Sequence, residues 1–308
     1  MLAMVVVVIL ALVLCLPWLL GGKERIELDP KARAAMTGHS FVALSDGATH
    51  YQWGGPEQGT KVVLVHGFSS PMFIFDRVFQ ALADAGLRVL RYDLYGRGLS
   101  DRPRVRYNAN LFDRQLAELL DSQGVTEPIH VVGLSMGGAI VAHFLDRHPE
   151  RVGHVALFAP AGLNELGRGA HLLKTPGLGD WLIKALGDRI LMKMCRGQAG
   201  DDPEAVRRFE AEYDKQLQYK GYKRALLSTM RHGPLEGQHS VYERIGRLDR
   251  AGAVFWGTAD AVVPFELHRE LVAFVPWLDL HAIDAGTHTA VYLSADEIIP
   301  PLLEFLKQ

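Results

Sequence analysis

Between residues 61 and 158 the chain alternates short, valine-rich apolar runs with longer stretches of helical periodicity. The apolar runs cover 61–65, 87–92, 129–132 and 152–158, and the stretches 75–85, 111–123 and 136–147 between them read as helices. Runs that stay apolar, without polar positions at every second residue, fit strands covered on both faces, and such strands separated by helices pair in parallel. The pattern predicts an α/β fold: a mostly parallel central sheet flanked by helices. Ahead of it, residues 41–44 and 50–53 flank Ser45-Asp46-Gly47, the spacing of a hairpin closed by an Asp-Gly turn.

The alternation stops near Ala161 and resumes near Ala251, with strands expected at 253–256 and 278–283 and a helix at 266–274 between them. The intervening stretch, rich in Leu, Ile and Met around Trp181 and then charged from Asp201 to Lys223, reads as helical throughout. It is expected to form a helical cap over residues 162–247, inserted between two parts of the core, 40–161 and 248–308.

Residues 2–22 carry no charged side chain, and an apolar helix of about 20 residues spans the roughly 30 Å hydrocarbon core of a bilayer. A single transmembrane anchor is therefore expected over residues 1–22, with 23–39 as a linker. The alternative is a cleaved secretory signal. It is disfavoured because no Lys or Arg precedes the apolar stretch, and because Ala32-Arg33-Ala34, the nearest small-x-small motif, lies beyond Lys23, Glu24 and Arg25. An anchor followed by Lys23, Arg25, Lys31 and Arg33 would leave the body on the cytoplasmic side of the membrane; a cleaved signal would make it secreted or periplasmic.

Charge and cysteine content narrow the picture further. The 308 residues carry a formal net charge of −2 without a basic run, which argues against a nucleic-acid partner. The two cysteines, Cys15 and Cys195, supply no disulfide framework, and no His/Cys spacing matches a zinc site, so neither metal nor cofactor is expected.

Gly133-Leu134-Ser135-Met136-Gly137 is a G-x-S-x-G placed where the strand beginning at Ile129 hands over to the helix beginning at Met136. A serine on such a turn projects its hydroxyl, and the glycines let neighbouring segments approach. Three other stretches follow predicted strands: His66-Gly67-Phe68, Asp93-Leu94-Tyr95-Gly96-Arg97-Gly98-Leu99-Ser100, and Gly257-Thr258-Ala259-Asp260. Through these four, residues 41–307 resemble the α/β-hydrolase family, and the elbow and His-Gly-Phe stretch are similar to those of serine esterases and monoacylglycerol-type lipases.

The resemblance implies a catalytic triad of Ser135 as nucleophile, His288 as base and Asp260 as its partner, in the family's chain order. Ala285-Gly286-Thr287-His288 lies in the loop after the last strand, where the family places its base, although glycine is commoner than Thr287 before the histidine. Asp284 is the nearest rival acid. The backbone amides of Phe68 and Met136 are the implied oxyanion donors. His66 is expected to shape its turn beside Gly67, with Gly133 and Gly137 framing the serine and Asp93, Arg97 and Ser100 bracing the neighbouring loop. A serine at the elbow disfavours the carboxylate-nucleophile dehalogenases and epoxide hydrolases. The expected function is hydrolysis of lipophilic acyl esters, with a small-molecule ester and, through the N-terminal helix, a lipid membrane as partners. The alternatives are a carbon–carbon bond hydrolase of ring-cleavage products and a non-catalytic hydrolase-like binding protein.

Overall fold

The computed structural model describes residues 22–308 together with residues 1, 4, 5, 15 and 17. One eight-stranded sheet frames it: β1 (Ser40–Leu44), β2 (Gly47–Gly54), β3 (Lys61–Val65), β4 (Arg88–Tyr92), β5 (Ile129–Leu134), β6 (Val152–Phe158), β7 (Gly252–Gly257) and β8 (Leu278–Ile283), in the order β1-β2-β4-β3-β5-β6-β7-β8. Only β2 runs against its neighbours; from β4 to β8 every pairing is parallel. The β1–β2 register pairs Leu44 with Gly47, so the hairpin turns on Ser45-Asp46 and Gly47 opens the second strand.

Successive side chains of β3 enter opposite layers, as the pleat requires. Val63 and Val65 join one apolar cluster with residues of α3 (Ala109–Ser122) and α4 (Met136–Arg147); Val62 and Leu64 join the other with α2 (Asp76–Asp84), the short α1 (Pro30–Ala34) lying outside both. Burial on both faces explains why these strands read as unbroken apolar runs. At the sheet edge β8 keeps Asp279 and Leu280 exposed.

Five helices lie between β6 and β7, and the first four form the insert: α5 (Arg168–Lys174), α6 (Leu178–Ala199), α7 (Pro203–Gln218) and α8 (Tyr222–His232). Asp202 caps α7 by accepting from the Glu204 N–H, with Pro203 at the first helical position, where its missing N–H costs nothing. After the insert, α9 (His239–Ile245) and α10 (His268–Phe274) return to the core, followed by α11 (Ala290–Leu293) and α12 (Ala295–Leu306).

The expectation of a membrane-spanning anchor is corrected. Among the described residues no helix is long and apolar enough to cross a membrane. Most of residues 1–22 lie outside the described residues. With no spanning helix among the described residues, the single-pass localisation, the cytoplasmic placement of the body and the membrane partnership are withdrawn. The chain is described from Gly22 onward as a segment lying along the insert, where the Arg25 and Ile26 amides each donate to the Gln218 carbonyl at 2.8 Å.

Candidate active site

Ser135 follows β5 directly and caps α4 with φ 54° and ψ −119°, a backbone conformation that non-glycine residues rarely adopt. Such strain costs of order 1–3 kcal/mol and persists only where the surroundings over-determine it. They do so here: the Ser135 amide donates to the Phe158 carbonyl at 2.8 Å, and its own carbonyl accepts from the amides of Gly138 (2.9 Å), Ala139 (3.3 Å) and Ala161 (3.0 Å). The motif glycines are sterically required. A Cβ on Gly133 would lie 2.6 Å from the Gly137 carbonyl oxygen, and one on Gly137 2.0 Å from that of Val65.

Asp260 and His288 come from the loops after β7 and β8. These loops are tied together by the Thr258 amide donating to the Ile283 carbonyl and the Ala259 amide to the Gly286 carbonyl, both at 2.9 Å, and the close approach leaves no room for a Cβ at Gly257. His288 Nδ1 then donates to Asp260 Oδ2 at 2.8 Å, with both side chains buried. The other carboxylate oxygen accepts from the Val262 and Val263 amides at 2.8 and 2.9 Å, which fixes the plane of the carboxylate. Asp284, the rival acid, is exposed and faces Thr258. His288 shares a small crevice with Leu134 and Ala159, close along the chain to Ser135 and to the strand beside it. The Ser135 hydroxyl makes no hydrogen bond among the described residues, to His288 or to any competitor, and lies 3.9 Å from where a Cβ of residue 67 would be.

The loop after β3 brings His66, Gly67 and Phe68 beside the serine. His66 is fully buried; its Nε2 accepts from the Leu94 amide at 2.9 Å, which leaves the proton on Nδ1 to donate to the Gly67 carbonyl at 2.9 Å. Burial, only partly offset by the charge of Asp93, pushes its pKa down to about 4, so the ring is neutral at pH 7. The Gly67 carbonyl and the Phe68 N–H belong to one trans peptide, so the histidine that holds one end aims the other. Neither the Phe68 nor the Met136 amide has a partner among the described residues, and Met136 stands at a helix N-terminus, where backbone N–H groups lack intrahelical acceptors.

The bracing residues behave as a unit. Asp93 accepts from His50 Nδ1 at 2.7 Å and from the Met72 and Leu99 amides at 3.0 and 2.9 Å. Burial alone would raise its pKa, but the His50 hydrogen bond and charge hold its carboxyl well below the usual range. Ser100 donates to the Asp93 carbonyl at 2.5 Å. Arg97, 0% exposed, donates through Nε to the Phe68 carbonyl at 2.7 Å and through Nη1 to that of Tyr95 at 3.1 Å. No carboxylate pairs with it among the described residues, and burial draws its pKa down to about 10.

Sequence reasoning missed Ser69, Ser70, Tyr213, Gln216 and Tyr222, which pack together behind this loop. Part of a signal was present: Ala205, Phe209, Tyr213 and Leu217 recur every four residues and form the buried face of α7. Among the described residues no group of three or more His, Cys, Asp or Glu side chains could hold a metal ion.

A strained serine at a strand-to-helix elbow, with a buried Asp–His pair at the ends of later parallel strands, defines an α/β-hydrolase. A family model described as "Serine aminopeptidase, S33" matches residues 56–292, and the chain belongs to that family. It is 27% identical over 274 residues to a 2-hydroxy-6-oxo-6-phenylhexa-2,4-dienoate hydrolase of Comamonas testosteroni, covering 86% of this chain and 93% of the relative. In fold it is similar to a bromoperoxidase from Bacillus anthracis (TM-score 0.76, 22% identity, 88% of this chain and 100% of that one). It is also similar to an esterase from Exiguobacterium antarcticum (TM-score 0.74, 18% identity, 87% of this chain and 99% of that one). The protein is thus a hydrolase of the α/β family.

Proposed function

We propose that the chain is a serine hydrolase that cleaves carboxylic esters through an acyl-enzyme, with Ser135, His288 and Asp260 as its triad. The observation that carries this reading is the buried 2.8 Å bond from His288 Nδ1 to Asp260. It selects the tautomer whose Nε2 is a free base, and places a carboxylate where an imidazolium would form. Ser135 Oγ bonds to the acyl carbon as its proton passes to Nε2, and the carbonyl electrons move onto oxygen. The Phe68 and Met136 amides receive that oxyanion, each worth roughly 3 kcal/mol in the transition state. Collapse expels the alkoxide, which takes the proton from Nε2, and water then repeats the sequence to free the acid. The cap role of α5–α8 belongs to the same proposal: a helical cover over the reacting end of the sheet would set acyl length and head group. Lipophilicity of the substrate now rests on that cover alone.

Carbon–carbon bond hydrolysis is the second reading, favoured by the 27% identity to the dienoate hydrolase. It begins with the same attack on a carbonyl and differs in expelling carbon. Two measurements test the reading. Ser135→Ala should lower kcat/KM on a p-nitrophenyl ester by about three or more orders of magnitude, and retention within tenfold of the parent overturns the serine mechanism. Parallel assays with the ester and a ring-fission dienoate should favour the ester; preference for the dienoate replaces the first reading with the second.

A further inference from the structure

We infer that the helical insert is part of the catalytic apparatus: α7 and α8 set the geometry of the oxyanion loop, so that Gln216 and Tyr222 are positioning residues for the Phe68 amide. The inference rests on the reading of that amide as an oxyanion donor.

Three successive carbonyls of the loop each have their own donor. His66 holds Gly67 and Arg97 holds Phe68, both from the core. The third, on Ser69, is held from the insert: Tyr222 Oη donates to it at 3.0 Å and Gln216 Nε2 at 3.3 Å. Each carbonyl fixes one peptide plane and successive planes share a Cα atom, so releasing the third frees Ser69 to turn and leaves the plane between Phe68 and Ser69 held by Arg97 alone. Gln216 spans two loops, since its Oε1 also accepts from the Gly98 amide at 3.0 Å. The Ser69 and Ser70 hydroxyls meet Tyr213 Oη at 2.7 and 3.1 Å, and Tyr213 in turn donates to Gln198 Oε1 at 2.8 Å.

The other side of the site is gripped as well. Thr289, next to His288, donates from its hydroxyl to the Gln198 carbonyl at the end of α6, at 2.5 Å. One residue of the insert, Gln198, thus touches both the loop bearing the proposed base and the tyrosine behind the oxyanion loop. Tyr213 and Tyr222 are 0% exposed and Gln216 2%, so the hydrogen bonds of these three side chains are shielded from water. A bond lost at such a site is not replaced by solvent, and the Ser69 carbonyl is left with one donor in place of two. An insert that served only as a lid over substrate would have no need of buried hydrogen bonds to the backbone behind the nucleophile.

Gln216→Glu is the sharp test, because it keeps the acceptor for Gly98 and removes the donor to Ser69; Tyr222→Phe removes the other donor with little change in volume. With a p-nitrophenyl ester, and with active sites counted by burst titration so that misfolded protein is excluded, each variant should lose about tenfold or more in kcat per titrated site. KM should stay within about twofold. Labelling of Ser135 by a fluorophosphonate should slow in parallel, since the phosphoryl oxygen occupies the same hole. Unchanged kcat per site, or a rise in KM alone, overturns the inference. Failure of the parent protein to label or to turn over ester would instead sink the serine-hydrolase reading beneath it.

Discussion

A methyl group at position 137 would sit 2.0 Å from the Val65 carbonyl oxygen and 2.6 Å from that of His66, which is backbone that cannot step aside. Gly137→Ala should therefore cost more than about 3 kcal/mol, seen as a large loss of denaturation midpoint or of soluble protein. Gly169, in α5, is the control, because a Cβ added there would meet no atom within 4 Å: Gly169→Ala should be neutral or stabilising by up to about 1 kcal/mol. At Asp260 the tautomer of the base is at stake. An asparagine would offer an amide N–H to the imidazole and invert its tautomer, so that Nε2 carries a proton and cannot accept one. Asp260→Asn should lower kcat on the ester by about three to four orders of magnitude while the far-UV spectrum and thermal midpoint stay near those of the parent. Loss of less than tenfold would move the acid role to another group.

At the level of elements, strands of the core were legible where burial on both faces leaves an apolar run: residues 61–65 and 152–158 are β3 and β6, while the expected strand 278–283 is the edge strand β8, exposed at Asp279 and Leu280. The other strands end within two residues of expectation. The last helix was not legible, because Pro300 and Pro301 lie inside α12 and each removes a backbone donor, yet the helix holds through the burial of Ile298, Leu302 and Phe305 against the sheet. Asp260 and His288 could be paired from chain order and strand-end placement, whereas Gln216 and Tyr222 could not. Their partners lie some 150 residues earlier, on a loop whose backbone carbonyls have no sequence signature. The insert carries its own electrostatic dependence. Lys223 of α8 is 3% exposed, and its ammonium pairs with Asp188 of α6 at 2.7 Å. Asp188→Asn would leave a buried ammonium without that counter-charge, at a cost of about 2 kcal/mol given that Asp188 is partly exposed. Hydrogen exchange should quicken in α6 and α8 and remain unchanged in β3, β5 and β6; a uniform rise across the molecule would show that insert and core unfold as one unit.

Across the whole molecule, the residues of the site come from loops after β3, β5, β7 and β8, the same end of a parallel sheet, which is where such sheets gather side chains from distant parts of a chain. That arrangement also places neutral histidines inside the frame. His66 beyond β3 and His130 in β5 are both lowered to about 4, His66 by burial and His130 by burial together with the neighbouring His154. Each uses a ring nitrogen as an acceptor, for the Leu94 and His154 amides respectively, so protonation destroys a native hydrogen bond. In the unfolded chain these rings titrate near 6.5. As pH falls from about 6.5 towards 4, the unfolded state takes up protons that the folded state refuses, so stability falls with falling pH in this window. For the fully buried His66 the whole effect is about 3 kcal/mol. Asp93, held below the ordinary carboxylate range, adds its own loss only at lower pH. Urea unfolding at pH 7.0, 6.0 and 5.0 should show a midpoint that falls steadily, and His66→Gln, which has no ring to protonate, should start lower and fall less steeply. Parallel slopes for parent and variant would mean that the acid sensitivity arises elsewhere in the fold.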